Sequence, residues 1–162
     1  MSRVRVRRYQ RRHAPPKITK SPAEQKRVVK AALRKLHDLG EDGNMEHVCY
    51  IQISDEDSQV LPNGSGEFKK NDCSVINIEP ADAQDVVEAA TTVEHEGGHA
   101  RDIAVDGSKG ISKQKEIARH HHTIAFLKRW KQKERNARYR KRIEEEQQEE
   151  RESIDYLETH DG

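Results

Sequence analysis

The sequence predicts an α+β fold in which a small β-sheet packs against several helices. Segments 47–54 and 73–78 are rich in β-branched residues and have the length of strands. Segments 21–39 and 82–104 instead repeat apolar residues at helical spacing. One helix, a small sheet and further helices, in that order, are the elements of a single α+β domain.

Charge divides the chain into three predicted parts. Hydrophobic residues make up only 32% and charged residues 36% of the 162 residues, so the packed part is expected to be smaller than the whole. Residues 1–20 contain many arginines and are expected to form a basic, disordered arm. Residues 21–127 are predicted to form the folded domain. Residues 128–162 are predicted to form a charged helical tail, exposed to solvent.

Local signals define the first helix. Ser21, Pro22 and Glu24 form a capping box with proline in the first turn, and Gly40 ends the helix after Leu39. The predicted buried face of this helix consists of Val28, Val29, Ala32, Leu33, Leu36 and Leu39.

The cysteines and the lack of long apolar runs indicate in which cellular compartment the protein is expected to work. Cys49 and Cys73 fall in the predicted strands, and reduced, half-buried thiols are expected for a cytosolic protein. A cross-strand disulfide is the alternative if the protein works outside the cell. No apolar run approaches the roughly 18 residues needed to span a bilayer, so no membrane partner is expected. The arginine-rich start also lacks the apolar segment of a secretory signal, which favours a cytoplasmic location.

An H-E-x-x-H motif lies in the stretch VEHEGGHARD and consists of His95, Glu96 and His99. Residues four apart share one face of a helix, so both imidazoles can bind one tetrahedral ion. Glu96 lies beside them, where its carboxylate can accept a proton from a water that zinc has acidified. The helix is predicted to begin at an Asp82 N-cap. The spacing therefore makes zinc-dependent hydrolysis the leading hypothesis.

A zinc hydrolase of this type needs a third protein ligand, which leaves the fourth position for water. The Gly-containing segment 107–110 breaks the helix, and a second helix is predicted to begin near Ser112. A chain reversal at this point brings Glu116 beside the two histidines, so Glu116 is the first candidate for the third ligand. His120, one turn along the same face, is the second, and the two histidines that follow it stay open.

Three positions near the motif have two interpretations each. Asp102 either accepts a hydrogen bond that orients His99 or is an exposed carboxylate. Gly97 and Gly98 each cost about 1 kcal/mol relative to alanine inside a helix. They either let a substrate or another backbone approach the metal or allow close packing against a neighbouring helix.

The apolar side expected for the second helix consists of Ile117, His121, Ile124 and Ala125.

Residues 72–102 resemble the zincin metallopeptidases in having a strand SVINIEP, a short acidic linker and a helix with HEGGHARD. They are most similar to the small metallopeptidase domains of bacterial effectors and polymorphic toxins, over roughly residues 45–127. The resemblance implies a minimal zincin-like fold, with the sheet packed on the motif helix and flanking helices. It also implies a protein or peptide substrate, and secretion or delivery into a target cell for an effector.

Residue by residue, the resemblance implies zinc ligands His95, His99 and Glu116, with Glu96 as catalytic base. The sequence departs from the family pattern at Gly97, where a bulky apolar residue is common.

Two other functions stay open. The arginines of the 1–20 arm can neutralise phosphates, which would give weak nucleic-acid contact. Alternatively, the chain is an interaction protein whose zinc site is structural or degenerate. A structural site usually closes its fourth coordination position with protein, whereas a catalytic site leaves it open.

Overall fold

The structure, a computed structural model, describes residues 5–6, 17–53, 58–62, 73–107 and 112–160. These residues form an α+β architecture, which confirms the predicted fold class. The strands are β1 Arg5–Val6, β2 Val48–Ile53, β3 Gln59–Val60 and β4 Ser74–Ile78. The helices are α1 Pro22–Asp38, α2 Val86–Asp106, α3 Lys113–Lys133 and α4 Ala137–Thr159, and short 3₁₀ helices span Gly43–His47 and Pro80–Ala83.

The sheet has the order β1-β4-β2-β3. Strand β4 is parallel to both of its neighbours, whereas β3 pairs with β2 in the antiparallel direction. All of β4 is buried, while β2 alternates so that Cys49, Ile51 and Ile53 face the interior and Tyr50 and Gln52 are half-buried. Both predicted strands are present, each beginning one residue later than expected.

A disulfide joins Cys49 in β2 to Cys73, which directly precedes β4. The expectation of two reduced thiols is therefore wrong. The parallel register pairs Val48 with Ser74, so the two strands start side by side. This brings the cysteine Cα atoms to 5.1 Å, within the range that a disulfide requires. The register depends on strand pairing, which neither cysteine reveals on its own.

The basic arm lies largely outside the described residues, which include only 5–6 and 17–20 of its length. Arg5–Val6 forms strand β1, and Gln84 Oε1 accepts hydrogen bonds from the backbone N–H groups of Thr19 and Lys20. The predictions of disorder and of nucleic-acid contact thus fall mostly on residues that the structure does not describe. Across the described ranges, no helix combines the length and apolar character needed to cross a membrane.

Helix α1 confirms its predicted start and buried face. Ser21 Oγ accepts from the Glu24 N–H, and the Glu24 carboxylate accepts from the Ser21 N–H, which completes the capping box. Val29, Ala32 and Leu36 are fully buried, and α1 packs against α2.

Helix α2 begins later than predicted. Asp82 is not its N-cap, because the chain first forms the 3₁₀ helix Pro80–Ala83, in which Asp82 accepts from the Glu79 N–H. The cap is Asp85, whose side chain accepts a backbone N–H three residues on. Gly107, at φ +63°, ends the helix in the left-handed conformation that glycine adopts readily.

Helix α3 begins after Ser112 as predicted, but its buried side is not the expected one. Ile117 and Ile124 are only half-buried, and His121 and Ala125 are exposed. Polar side chains turn inward because α2 and α4 supply charged partners for them. The buried residues of α3 are Glu116, Arg119, His120, Thr123, Phe126, Leu127 and Trp130.

Helix α4 is part of the packed structure, so the expectation of a solvated helix is wrong. It lies against α3 and α2, and α3 itself runs across the predicted boundary between residues 127 and 128. The buried positions recur every three or four residues, although several of them are charged or polar. They are Ile143, Glu146, Gln147, Glu150, Ile154 and Leu157.

Candidate metal centre

The three ligands suggested by the sequence meet between α2 and α3. His95 Nε2 lies 2.8 Å from Glu116 Oε1, and His99 Nε2 lies 2.7 Å from Glu116 Oε2. The two Nε2 atoms are 3.2 Å apart. One carboxylate therefore faces both imidazoles, with one oxygen toward each. The i, i+4 spacing on α2 and the N-capped start of α3 position these groups.

His120, the second candidate, joins the same cluster. Its Nε2 lies 3.3 Å from Glu116 Oε1, and its ring centroid lies 4.6 Å from that of His95. His95, Glu116 and His120 each offer a donor atom close enough to the others to share one ion. His121 and His122 are exposed on α3 and do not take part in the cluster. Only the first histidine of the run is one helical turn from Glu116.

All four donor side chains are buried, with exposed fractions between 0% and 5%. Burial lowers the pKa of His95 to about 4, because the imidazolium form loses its hydration. His95 is therefore neutral at pH 7 and retains the nitrogen lone pair that a metal needs. Burial alone would raise the pKa of Glu116. The imidazole groups of His120, His95 and His99 that face the carboxylate outweigh it and hold that pKa well below its usual range.

Thr123 of α3 and, through it, Glu94 of α2 lie beside Nδ1 of His95, the ring nitrogen that does not face Glu116. Thr123 Oγ1 lies 3.4 Å from His95 Nδ1 and donates to Glu94 Oε2 at 2.8 Å. Arg119 Nη2 donates to the other Glu94 oxygen at 3.0 Å. Burial raises the pKa of Glu94 to about 7, against the opposing effect of the Arg119 charge. Such outer hydrogen bonds fix the ring orientation of metal-binding histidines.

Glu150 of α4 supports His120 in the same manner, since its Oε2 is hydrogen-bonded to His120 Nδ1. Burial alone would lower the pKa of His120. The carboxylates of Glu116 and Glu150 outweigh this effect and raise it to about 9. The ring is then an imidazolium held between two carboxylates, and metal ligation by His120 would release a proton.

Glu94, Thr123 and Glu150 were missed by sequence reasoning. Thr123 had a usable signal, because it is seven residues after Glu116 and so lies on the same face of α3. Glu150 had a weaker one, the spacing of four between Glu146, Glu150 and Ile154 inside an acidic run.

Glu96 and Asp102 have contrasting environments. Glu96, next to His95 in the sequence, is fully buried on α2. Asp102 is half-buried, and among the described residues no hydrogen bond connects it to His99. The orienting role considered for Asp102 is therefore not supported by the structure.

The two glycines of the motif make room for neighbouring side chains. A Cβ at Gly97 would lie 2.4 Å from Met45 Cε, and a Cβ at Gly98 would lie 2.0 Å from Arg119 Cζ. Close packing, rather than approach by a substrate, thus occupies the space beside both positions. Gly98 in particular allows the Arg119 guanidinium to reach Glu94.

Comparison with protein-family models, with curated proteins and with solved structures finds no match for this chain. The chemistry of the site is therefore inferred from its donor atoms and their surroundings.

Proposed function

We propose that this protein is a zinc-dependent metallopeptidase, similar to the small enzymes of bacterial effectors and polymorphic toxins. The observation that supports this most strongly is the contact of both Glu116 oxygens with the Nε2 atoms of His95 and His99, at 2.8 and 2.7 Å. Two imidazoles and one carboxylate are a donor set of catalytic zinc sites, and they leave one coordination position for water. Burial keeps His95 neutral, so the residues fit the metal.

The residues around the donors have distinct roles in this proposal. Bound zinc would polarise the scissile carbonyl and acidify a water molecule. Glu96 accepts the proton of the attacking water and delivers it to the leaving amine. Thr123, which donates to Glu94, keeps the His95 ring in its binding orientation.

His120 is the candidate for stabilising the negative charge that develops on the substrate oxygen. Its Nε2 lies at the ligand cluster, and Glu150 holds the ring through the opposite nitrogen. A preorganised donor of this kind contributes most in a buried site, where water does not compete for the charge.

A structural zinc site is the second candidate function, and the position of His120 is the observation that favours it. With Nε2 only 3.3 Å from Glu116 Oε1, His120 is near enough to become a fourth protein ligand. A site closed in this way would hold α2 and α3 together and would leave no position for water.

Zinc content tests the metal site itself. We expect the purified wild-type chain and a His121→Ala control, which alters an exposed histidine of the same run, to contain one zinc per chain by elemental analysis. His95→Ala should contain almost none, because it removes a donor. Wild-type protein without zinc, even after incubation with the metal, would refute both zinc proposals.

Cleavage of a peptide library tests the enzymatic proposal separately. Glu96→Gln should retain zinc and lose activity by about 10²–10⁴-fold, the usual contribution of general acid–base catalysis. Glu158→Gln, which alters an exposed glutamate of α4, serves as the control. If the zinc-loaded wild type cleaves nothing and its cobalt derivative shows four protein ligands, the structural role replaces the enzymatic one.

A further inference from the structure

A polar cavity of about 230 Å³ lies between the loop at residues 40–44 and helices α2 and α3. None of the four donor side chains of the metal centre lines it. Its charged lining is mainly cationic and consists of Arg101, Arg119 and Arg129, with the carboxylates of Glu41 and Glu94.

Both carboxylates in this lining are already occupied by donors. Arg129 donates to both oxygens of Glu41, from Nε at 2.6 Å and from Nη2 at 2.8 Å. Arg119 and Thr123 each donate to a different oxygen of Glu94, at 3.0 and 2.8 Å. Each of the four carboxylate oxygens therefore accepts a hydrogen bond, and the glutamates do not satisfy the remaining cationic donors.

Two arginines retain hydrogen-bonding capacity. Arg119 is only 5% exposed, yet its Nε–H has no hydrogen-bond partner. Arg101 is exposed at the cavity, and within the described ranges it forms no ion pair. A buried donor without an acceptor is unfavourable unless a ligand or a water molecule supplies one. The cavity thus has a surplus of positive charge and of N–H donors.

Gly98 is the sequence feature that allows this arrangement. A side chain there would collide with the Arg119 guanidinium, since an added Cβ would lie 2.0 Å from Cζ. Glycine lowers the stability of the helix at this position, and the guanidinium occupies the space that a side chain would fill.

We propose that this cavity binds a small oxyanionic group, a carboxylate or a phosphate, between Arg101 and Arg119. Guanidinium groups are planar and present paired N–H donors that match the oxygens of these anions. No proposed zinc ligand lines the cavity, so anion binding adds to the proposed function without depending on it.

Nuclear magnetic resonance provides the test, because the Nε–H signal of Arg119 reports directly on the cavity. The full chain is titrated with inorganic phosphate and, separately, with glutarate, while sodium chloride keeps the ionic strength constant. We expect a saturable shift of the Arg119 signal with at least one anion. The anion that produces it distinguishes a phosphate site from a carboxylate site.

The variant Arg101→Gln should weaken this binding about tenfold, the usual effect of losing one charge-assisted hydrogen bond. The matched control is Arg138→Gln, which removes the same charge from an exposed position on α4 and should leave the affinity unchanged. Absence of a saturable shift with both anions would overturn the proposal. Equal weakening in the two variants would also overturn it, because the effect would then be one of net charge.

Discussion

Helix α2 has two sides that are stabilised by different interactions. Val87, Ala90 and Val93 belong to the apolar core that α2 shares with α1 and the sheet. On the side toward α3, His95 and His99 meet the Glu116 carboxylate. The apolar side is stabilised by burial of any apolar group of suitable size. The polar side is stable only if each buried group has its specific partner, so its residues are much less interchangeable.

The largest effect is expected from a substitution in the apolar core that leaves the polar side of α2 unchanged. Leu36→Ala removes a fully buried side chain of α1 and should lower the free energy of unfolding by about 3 kcal/mol. Urea denaturation followed by circular dichroism measures the change. Zinc content should stay at the wild-type level. A loss of zinc in this variant would show that the two sides are coupled.

Metal removal tests the polar side. Zinc at about 100 times its Kd should raise the free energy of unfolding by about 2.7 kcal/mol, because it binds the folded state, and a chelator should reverse the effect. Thermal denaturation with and without zinc measures it. His99→Ala should lose this increment, whereas Leu36→Ala should retain it in full, since sites that share no partner usually act additively. A reduced increment in Leu36→Ala would contradict that independence.

The contact between α3 and α4 predicts a smaller effect on metal affinity. Glu150→Gln removes the carboxylate that holds His120. In a structural site, with His120 as fourth ligand, zinc binding should weaken about 10–100-fold, as is usual for outer hydrogen-bond partners. In the proposed enzyme, where His120 is not a ligand, zinc affinity should stay unchanged. Competition with a chromophoric chelator measures the affinity, with Glu158→Gln as the control. Equal affinities of the two variants would show that His120 contributes nothing to metal binding.

The smallest expected difference in stability is between alanine substitutions at the two glycines of the motif. Gly98→Ala should lower the free energy of unfolding by about 1–3 kcal/mol, because the new Cβ displaces the buried Arg119 guanidinium. Gly97→Ala should cost less, since its Cβ meets the flexible end of Met45 most closely and approaches Asn44 Cβ at 3.3 Å. Chemical denaturation of both variants checks the order. Stabilisation by Gly98→Ala would mean that helix propensity outweighs the contact.

Local signals in the sequence predicted much of the fold and the centre of the site. The capping box at Ser21, the strands around Ile51 and Ile76 and the start of α3 at Ser112 each depend on residues close together in the chain. The cluster of His95, His99 and Glu116 followed from helical spacing and one chain reversal. These features were predictable because short-range geometry determines them.

Features that depend on distant partners were not predictable. His120 and Glu150 are 30 residues apart, and each looks like a solvent-facing residue within its own run. The inward face of α3 and the packing of α4 follow from such pairings. The Cys49–Cys73 disulfide likewise depends on the β2–β4 register. Hydrophobic periodicity carries no information about a buried ion pair, because both partners count as polar.

The position of Glu150 in the second half of α4 determines how much of the chain the centre requires. A protease cut or a premature stop codon just after α3 would leave the whole H-E-x-x-H motif and every proposed donor in place. It would nevertheless remove the acid that anchors His120, together with the helix that covers it. The smallest fragment that retains the complete arrangement must therefore extend at least to residue 150, well past the last donor in the chain.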